Sequence, residues 1–536
     1  MIDHCDAGPI PSGMPFEPPD RFNIADYFLG DRLAEGRGDR VAILTADGEF
    51  TYADVDELAN RYGNLLLRAG VRPEERVLIA LPDGPEFVAA IFGTLKIGAV
   101  VVMLNPHIKP DEIAYFFDYT GGAVLLVSAD RAPFFRSVAE KAKAGIGGGE
   151  PARRTPRDIF VVDGPAFRER AEAISAELET VQTHPDDPAI WLFSGGTTGH
   201  PKAVVQTHTS FANTTECYAR DVIGYEETDI TLSVPKLFFG YATGSNLLFP
   251  FAVGGATALF AERCTPETLL DAIERFRPTI LVNVPTMIHQ LLADERLADR
   301  DLSSLRIATS AGEALPAELH RRWNDAVGVD LLDGLGTAEM WHIFLSNRPG
   351  EVHPGTLGTV VPGFDVRVRD DEGVDLPDGE VGWLWVRGNS LALGYWRRAR
   401  KTREAFRGEW YVSGDMIERD ADGVFRYCGR GDDMLKVKGK WLSPKEVENC
   451  LVEHGGVAEA AVVGAPSPEG LVRPVAWVIP TPGATEDLAE DLADALREHV
   501  ASRLASYKAP AVVHVVEDLP RTHLGKIDRG ELRARS

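Results

Sequence analysis

Short apolar runs alternate with segments of helical periodicity along most of the chain. Arg76–Leu81 (RVLIAL), Val100–Leu104 (VVVML) and Ala123–Val127 (AVLLV) are near-continuously apolar, the pattern of strands buried on both faces. Between Asp54 and Gly70 the texture changes. Val55, Leu58, Ala59, Tyr62, Leu65 and Leu66 recur at helical spacing, and Gly70 is placed to end that helix. Thr279–Val284 (TILVNV) and Arg306–Ser310 (RIATS) predict further strands, each preceding a site-like segment. Such alternation predicts an α/β fold with largely parallel sheets. From about Gly363 the pattern becomes β-rich, with Asp365–Arg369 and Trp383–Arg387 alternating between turn signals. The last hundred or so residues predict strands at Ala460–Val463, Val475–Ile479 and Val512–Val516 and a long helix near Leu488–Leu504. They form a small α+β unit attached through the polar segment GRGDDMLKVKGKW.

The expected architecture is therefore a large N-terminal α/β domain with parallel-rich sheets and a β-rich subdomain, followed by a small α+β C-terminal domain. The boundaries read as a flexible Pro-, Gly- and Asp-rich arm over 1–22, the large domain over 23–431 and the small one over 432–536. Ala144–Pro156 (AGIGGGEPARRTP) reads as a surface loop, and no internal repeat is visible.

Composition narrows the function. A formal net charge of −25 argues against coating nucleic acid or an anionic membrane, both of which require clustered positive charge. An anionic ligand must be met by local Lys, Arg or backbone N–H groups. The five cysteines are widely spaced with no CxxC, which suits a reducing compartment and gives neither a zinc site nor a disulfide framework. The N-terminus lacks the pattern of a signal peptide, and no apolar run is long enough to span a membrane. A soluble, cytoplasmic enzyme or binding protein is expected.

The segment 194–205, SGGTTGHPKAVV, follows the apolar stretch Ile190–Phe193 and has the makeup of a phosphate loop. It fails as a Walker A loop at two places. Lys202 follows Pro201 rather than Gly, and Ala203 lacks the hydroxyl that would meet Mg²⁺. Proline also removes an N–H that a helix N-terminus would present to phosphate. What remains is a Gly/Thr/Ser loop whose N–H and O–H groups wrap a polyphosphate, with Lys202 as a nearby cation. The competing reading is a glycine-rich surface turn.

SGGTTGHPKAV resembles the phosphate loop of the acyl-adenylate-forming superfamily: acyl-CoA synthetases, adenylation domains and luciferases. GTAEM at 336–340, YVSGD at 411–415, GRGDD at 429–433 and PRTHLGKIDR at 520–529 resemble its other motifs, in order. KLFFGYATGSN at 236–246, EMWHIFLSNRPGEVHPGTLG at 339–358 and DDMLKVKGKWLSPKEVE at 432–448 resemble the benzoate-CoA ligase branch. The resemblance implies ATP-dependent attack of a carboxylate on the α-phosphate, then displacement of AMP by the thiol of coenzyme A. The alternative acceptor is the phosphopantetheine of a separate carrier protein.

The resemblance also implies roles for individual residues. Thr197, Thr198, Gly199 and Lys202 would cradle the β- and γ-phosphates, and Ser194, Gly195, Gly196, Gly336 and Thr337 would complete the ATP/AMP site. Glu339 would bind Mg²⁺, a hard cation suited to carboxylate oxygen. Asp415 and Arg430 would take the ribose hydroxyls. Lys526 would be the catalytic residue of adenylation, touching both the acid and the α-phosphate. Asp432 would be the hinge about which the small domain turns, and Gly439 would line the CoA tunnel, although a turn glycine is the simpler reading. Where the superfamily commonly carries Thr before the glutamate, this chain has Ala338. Either Thr337 substitutes or one hydrogen bond is missing.

By the same resemblance, Phe239, Gly240, Tyr241, Ala311, Gly334, His342 and Ile343 line the acyl pocket. Small residues beside aromatic ones suggest a flat slot for benzoate or a small substituted benzoate. Gly240 stands where alanine is frequent, so a ring substituent is expected to find extra room there. His342 either bonds a ring hydroxyl or amino group or is simply packed in the core.

Overall fold

A computed structural model of the chain describes residues 16–144, 154–196, 199–431, 434–437, 440–466, 472–481, 489–521 and 527–536. The helix anticipated near Asp54 runs Tyr52–Arg68. Thr51 caps it, its hydroxyl accepting from Asp54 N while the Asp54 carboxylate accepts from Thr51 N, so two orphan donors are satisfied reciprocally.

Among the described residues two large sheets form the body of the molecule. The first has seven strands, in the order Gly394–Tyr395, Gly199–Thr207, Pro188–Gly196, Val100–Met103, Arg76–Ala80, Val124–Val127 and Asp158–Val161. From Pro188–Gly196 to Asp158–Val161 the strands pair in parallel. The second has nine strands, with the parallel run Leu331–Gly336, Ile307–Ser310, Ile280–Asn283, Ile230–Ser233, Ala256–Ala258 and Val41–Leu44 flanked by antiparallel partners. One face of each sheet packs into a shared core with helices that supply Phe92, Phe211, Phe249 and Phe251, and the opposite faces pack into two separate apolar clusters. Helices on the sheet faces explain why these strands read as unbroken apolar runs.

The β-rich part is an antiparallel five-stranded sheet built on Phe364–Arg369, Val381–Gly388 and Trp410–Arg419, with Phe425–Arg430 paired to the last. Beyond it, Val457–Pro466, Val472–Pro480 and Val512–Val515 make a three-stranded sheet. Helices Pro444–Val452 and Ala489–Arg503 cover it over a separate apolar cluster. No helix among the described residues is long and apolar enough to cross a membrane.

The expectation of a loose arm over 1–22 is corrected for its last residues. Phe16 and Phe22 pack with Tyr27 in an aromatic cluster, and Phe22 N donates to Thr183 O. Residues 1–15 and most of the 144–156 loop lie outside the described residues.

Candidate active site

The glycine-rich segment is the tip of an antiparallel hairpin. Ser194 pairs with Lys202 and Gly196 with Gly199, so the chain after the loop continues as a strand rather than as a helix. That explains Pro201. Its carbonyl accepts from Tyr115 Oη at 2.7 Å, and a strand edge tolerates its missing N–H where a helix interior would not. His200 stacks on the same tyrosine, the ring centroids 4.3 Å apart. Thr197 and Thr198 lie outside the described residues.

Lys202 points over the ring of Tyr395, its Nζ 4.2 Å from the centroid. Burial lowers the pKa of this ammonium, and the charge of Glu339 opposes the shift. Tyr395 reaches this place because Gly394–Tyr395 pairs edge-on with Val205 and Val204. Its hydroxyl donates to Glu339 Oε1 at 2.7 Å. Glu339 is only 3% exposed and makes no ion pair among the described residues. Burial raises the Tyr395 phenol above its ordinary range, reinforced by Glu339, so the tyrosine remains a donor.

Two further bonds set the turn that carries Glu339. Gln206 Nε2 donates to Ala338 O at 2.7 Å. Thr337 caps the 3₁₀ turn Ala338–Met340, its hydroxyl oxygen accepting from Met340 N at 3.3 Å. The cap occupies one lone pair of Thr337 and leaves its O–H free to donate.

Asp415 and Arg430 face each other across paired strands. Asp415 Oδ1 accepts from Arg430 Nη1 and Tyr427 Oη, each at 3.2 Å, and its other oxygen accepts from Ser413. A side chain at Gly414 would put its Cβ 2.4 Å from Arg430 Nη2, so the YVSGD glycine makes room for the guanidinium. Tyr411 feels the charges of Glu339 and Asp415 together, which places the two carboxylates around one phenol.

The acyl-pocket residues are only partly gathered as expected. His342 is buried beside Tyr241, Tyr218 and Phe249. Its Nε2 lies 3.1 Å from Tyr241 O, an acceptor only, and 3.2 Å from Ser245 Oγ. The proton therefore sits on Nε2, and Nδ1 is a buried acceptor with no hydrogen-bond partner among the described residues. Burial lowers the imidazole to about 4. Tyr241 Oη shares a 2.7 Å bond with Thr309 Oγ1. Ala311 and Ile343 are buried, whereas Phe239 is 54% exposed and contributes an outer face.

The small residues are small for other reasons than pocket space. A Cβ at Gly240 would meet Leu192 methyls at 3.1 and 3.3 Å, so the expected extra room is filled by that leucine. At Gly334 it would lie 2.7 Å from Leu345 O, and at Gly336 2.4 Å from His342 O. Both glycines serve the tight approach of Leu331–Gly336 to Ile343–Ser346.

Sequence reasoning missed Tyr395, Gln206, Ser245, and a polar row where the parallel pairing of three strands ends. Asn283, Ser310 and Asp333 are register partners, and Asn283 Nδ2 and Asp333 Oδ1 have no hydrogen-bond partner among the described residues. Burial pushes the Asp333 carboxyl well above the usual range. Such a row at the carboxyl end of parallel pairing is where open α/β sheets meet ligands. Polar residues ending apolar runs (TILVN, RIATS, LLD) were the available signal. Asp432, Gly439 and Lys526 lie outside the described residues.

Comparison with known proteins adds the following. The AMP-binding enzyme family matches residues 31–396, and the AMP-binding enzyme C-terminal domain matches residues 446–526. The chain is 39% identical to the benzoate–CoA ligase of Thauera aromatica, over 100% of this chain and 99% of that protein. It is 38% identical to the 4-hydroxybenzoate–CoA/benzoate–CoA ligase of Rhodopseudomonas palustris, over 96% of this chain and 94% of that one. The crystal structure of the anthranilate CoA ligase AuaEII with anthranoyl-AMP superposes with a TM-score of 0.87 at 37% identity, covering 97% of this chain and 98% of the other.

Proposed function

The chain belongs to the AMP-binding enzyme family, in its benzoate–CoA ligase branch, and we propose that it acts on benzoate or a small substituted benzoate. It is an AMP-forming acid–CoA ligase. An aromatic carboxylate attacks the α-phosphate of ATP to give an aryl-adenylate and pyrophosphate, and the thiol of coenzyme A then displaces AMP. A carboxylate is a poor acyl donor because its oxygen leaves badly, and the mixed anhydride replaces it with a good leaving group. The enzyme's task is to neutralise two anions pressed together, which is electrostatic work.

In the proposed division of labour, Lys202 and the hairpin-tip amides hold the β- and γ-phosphates. Asp415 accepts from the ribose hydroxyls, with Arg430 beside it as donor. Glu339 fits a Mg²⁺ ligand, because a buried carboxylate without an ion pair is costly unless a cation meets it. When bound, that ion supplies positive charge to the phosphate oxygens. Lys526 neutralises the meeting carboxylate and α-phosphate, residues 432–536 turn about Asp432 between the half-reactions, and Gly439 lines the thiol's path. A boundary between a large domain ending at 431 and a small domain beginning at 432 is part of the same proposal. The proposed acceptor is coenzyme A rather than a carrier protein, a reading supported by the two CoA ligases matched over 99% and 94% of their length. A cytoplasmic location suits free ATP and coenzyme A.

The observation that carries the substituted-ring reading is the buried Nδ1 of His342. A buried acceptor left unpaired is unfavourable, and a ring hydroxyl or amino group supplies its missing donor. Glu339 and His342 stand three residues apart, with Trp341 at φ 60° turning the chain between the phosphate end and the ring end. The test is a panel of benzoate, hydroxybenzoates, aminobenzoates and fatty acids, read by pyrophosphate exchange and by consumption of free coenzyme A. Aryl acids should support both. Reaction with long-chain acids alone would overturn the slot, and adenylation without coenzyme A consumption would restore the carrier-protein acceptor.

A further inference from the structure

The cysteine spacing showed no metal motif, yet the fold brings three ligand types together away from the cleft. Helix Pro444–Val452 ends with Glu453 as its C-cap, and Cys450 lies one turn earlier on the same side. His499 comes from the helix Ala489–Arg503 that packs beside it. The Cys450 sulfur, a Glu453 carboxylate oxygen and a ring nitrogen of His499 all lie within 4.8 Å of one another.

The surrounding bonds orient the histidine as a ligand. His499 Nε2 lies 3.0 Å from Cys450 O, which can only accept, so the proton sits on Nε2 and the lone pair is left on Nδ1. Metal-bound histidines are held in this way, with the second nitrogen donating to a backbone carbonyl. A cation already sits there. Arg503 Nη1 donates to His499 Nδ1 at 3.1 Å while its Nε lies 3.8 Å from Glu453 Oε2. The guanidinium thus bridges two of the three groups from a side chain that is 51% exposed and free to swing outward. His454 is the adjacent ring, 5.3 Å away centroid to centroid, but its Nδ1 accepts from Gly456 N.

We propose that Cys450, Glu453 and His499 form a binding site for a zinc-class divalent cation, with water as the fourth ligand. Sulfur, imidazole and carboxylate together suit a borderline-soft tetrahedral ion rather than Mg²⁺. Binding exchanges the thiol proton for the metal: the S–H bond breaks, an S–metal bond forms, one proton passes to buffer, and Arg503 releases His499 to solvent. The ion would pin the two helices of the C-terminal sheet together.

The test uses untagged, chelator-treated full-length protein titrated with Co²⁺, then with Zn²⁺ in competition. One equivalent of Co²⁺ should bind with a thiolate-to-cobalt charge-transfer band that Zn²⁺ bleaches. Cys450→Ser should abolish the band. Because that thiol is packed in a core, Glu453→Gln, at an exposed position, and His499→Ala, at a half-buried one, serve as second variants. Each should weaken binding by more than about tenfold, the smaller effect of disturbing an outer-shell partner. Absence of the charge-transfer band in the wild type overturns the proposal. So does a band that both second variants leave unchanged.

Discussion

Replacing Tyr395 by Phe removes one hydroxyl and leaves the ring under Lys202. The lost bond is the 2.7 Å donation to Glu339 Oε1, between residues that are 7% and 3% exposed. Little water reaches either partner, so solvent does not readily replace the bond. A hydrogen bond to a charged group is worth about 1.5–3 kcal/mol, which at 1.4 kcal/mol per decade is a factor of about 10–150. The carboxylate proposed to hold Mg²⁺ then loses the group that aims it. Aryl-adenylate formation in single turnover should slow by that factor, and half-saturation by Mg²⁺ should move upward. Thioester formation from supplied aryl-AMP should stay within about twofold of wild type, since it involves no triphosphate. An adenylation rate and Mg²⁺ dependence both unchanged would refute the positioning role. Equal losses in both half-reactions with a lowered Tm would refute it differently, by showing general damage to the fold.

Gly244→Ala should displace His342, because its Cβ would lie 2.6 Å from His342 Cδ2 and 2.7 Å from Nε2. The expected cost is about 1–3 kcal/mol in urea unfolding and a raised KM for the acid, while Gly195→Ala, whose Cβ would meet nothing within 4 Å, should leave stability unchanged. Lys526→Ala should slow adenylation by about 10²–10³ and largely spare thioester formation from aryl-AMP; equal loss of both would contradict the two-conformation role. For pH, burial holds His342 at about 4 against an ordinary 6.5, so the unfolded chain takes up that proton first as pH falls. The resulting stability is present above 6.5 and lost toward 4, with about 2 kcal/mol gone by pH 5. The advantage of wild type over His342→Gln in urea should therefore shrink by that amount between pH 7 and pH 5. An advantage that is equal at both pH values would contradict a neutral buried imidazole.

Much of the fold was legible because strands covered on both faces must be apolar throughout, and RVLIAL, VVVML and AVLLV carry that demand locally. The motifs behind the proposed site were legible for a related reason: binding phosphate, ribose or carboxylate requires particular residue types close together in the chain. What escaped was information held in strand register. Tyr395 meets Lys202 and Glu339 only because a two-residue strand pairs with Val204 and Val205, nearly two hundred residues earlier. Gly334 reads as pocket space in one dimension, but antiparallel pairing places Leu345 O where its side chain would go. Cys450 and His499 carry no spacing signal because two helices, rather than a loop, bring them together. Pro201 shows the same limit from the opposite side. Its missing N–H counted against a Walker A loop, yet the hairpin that makes it welcome depends on Ser194 pairing with Lys202. Local chemistry names the groups a site needs, and pairing between distant strands decides which of them meet.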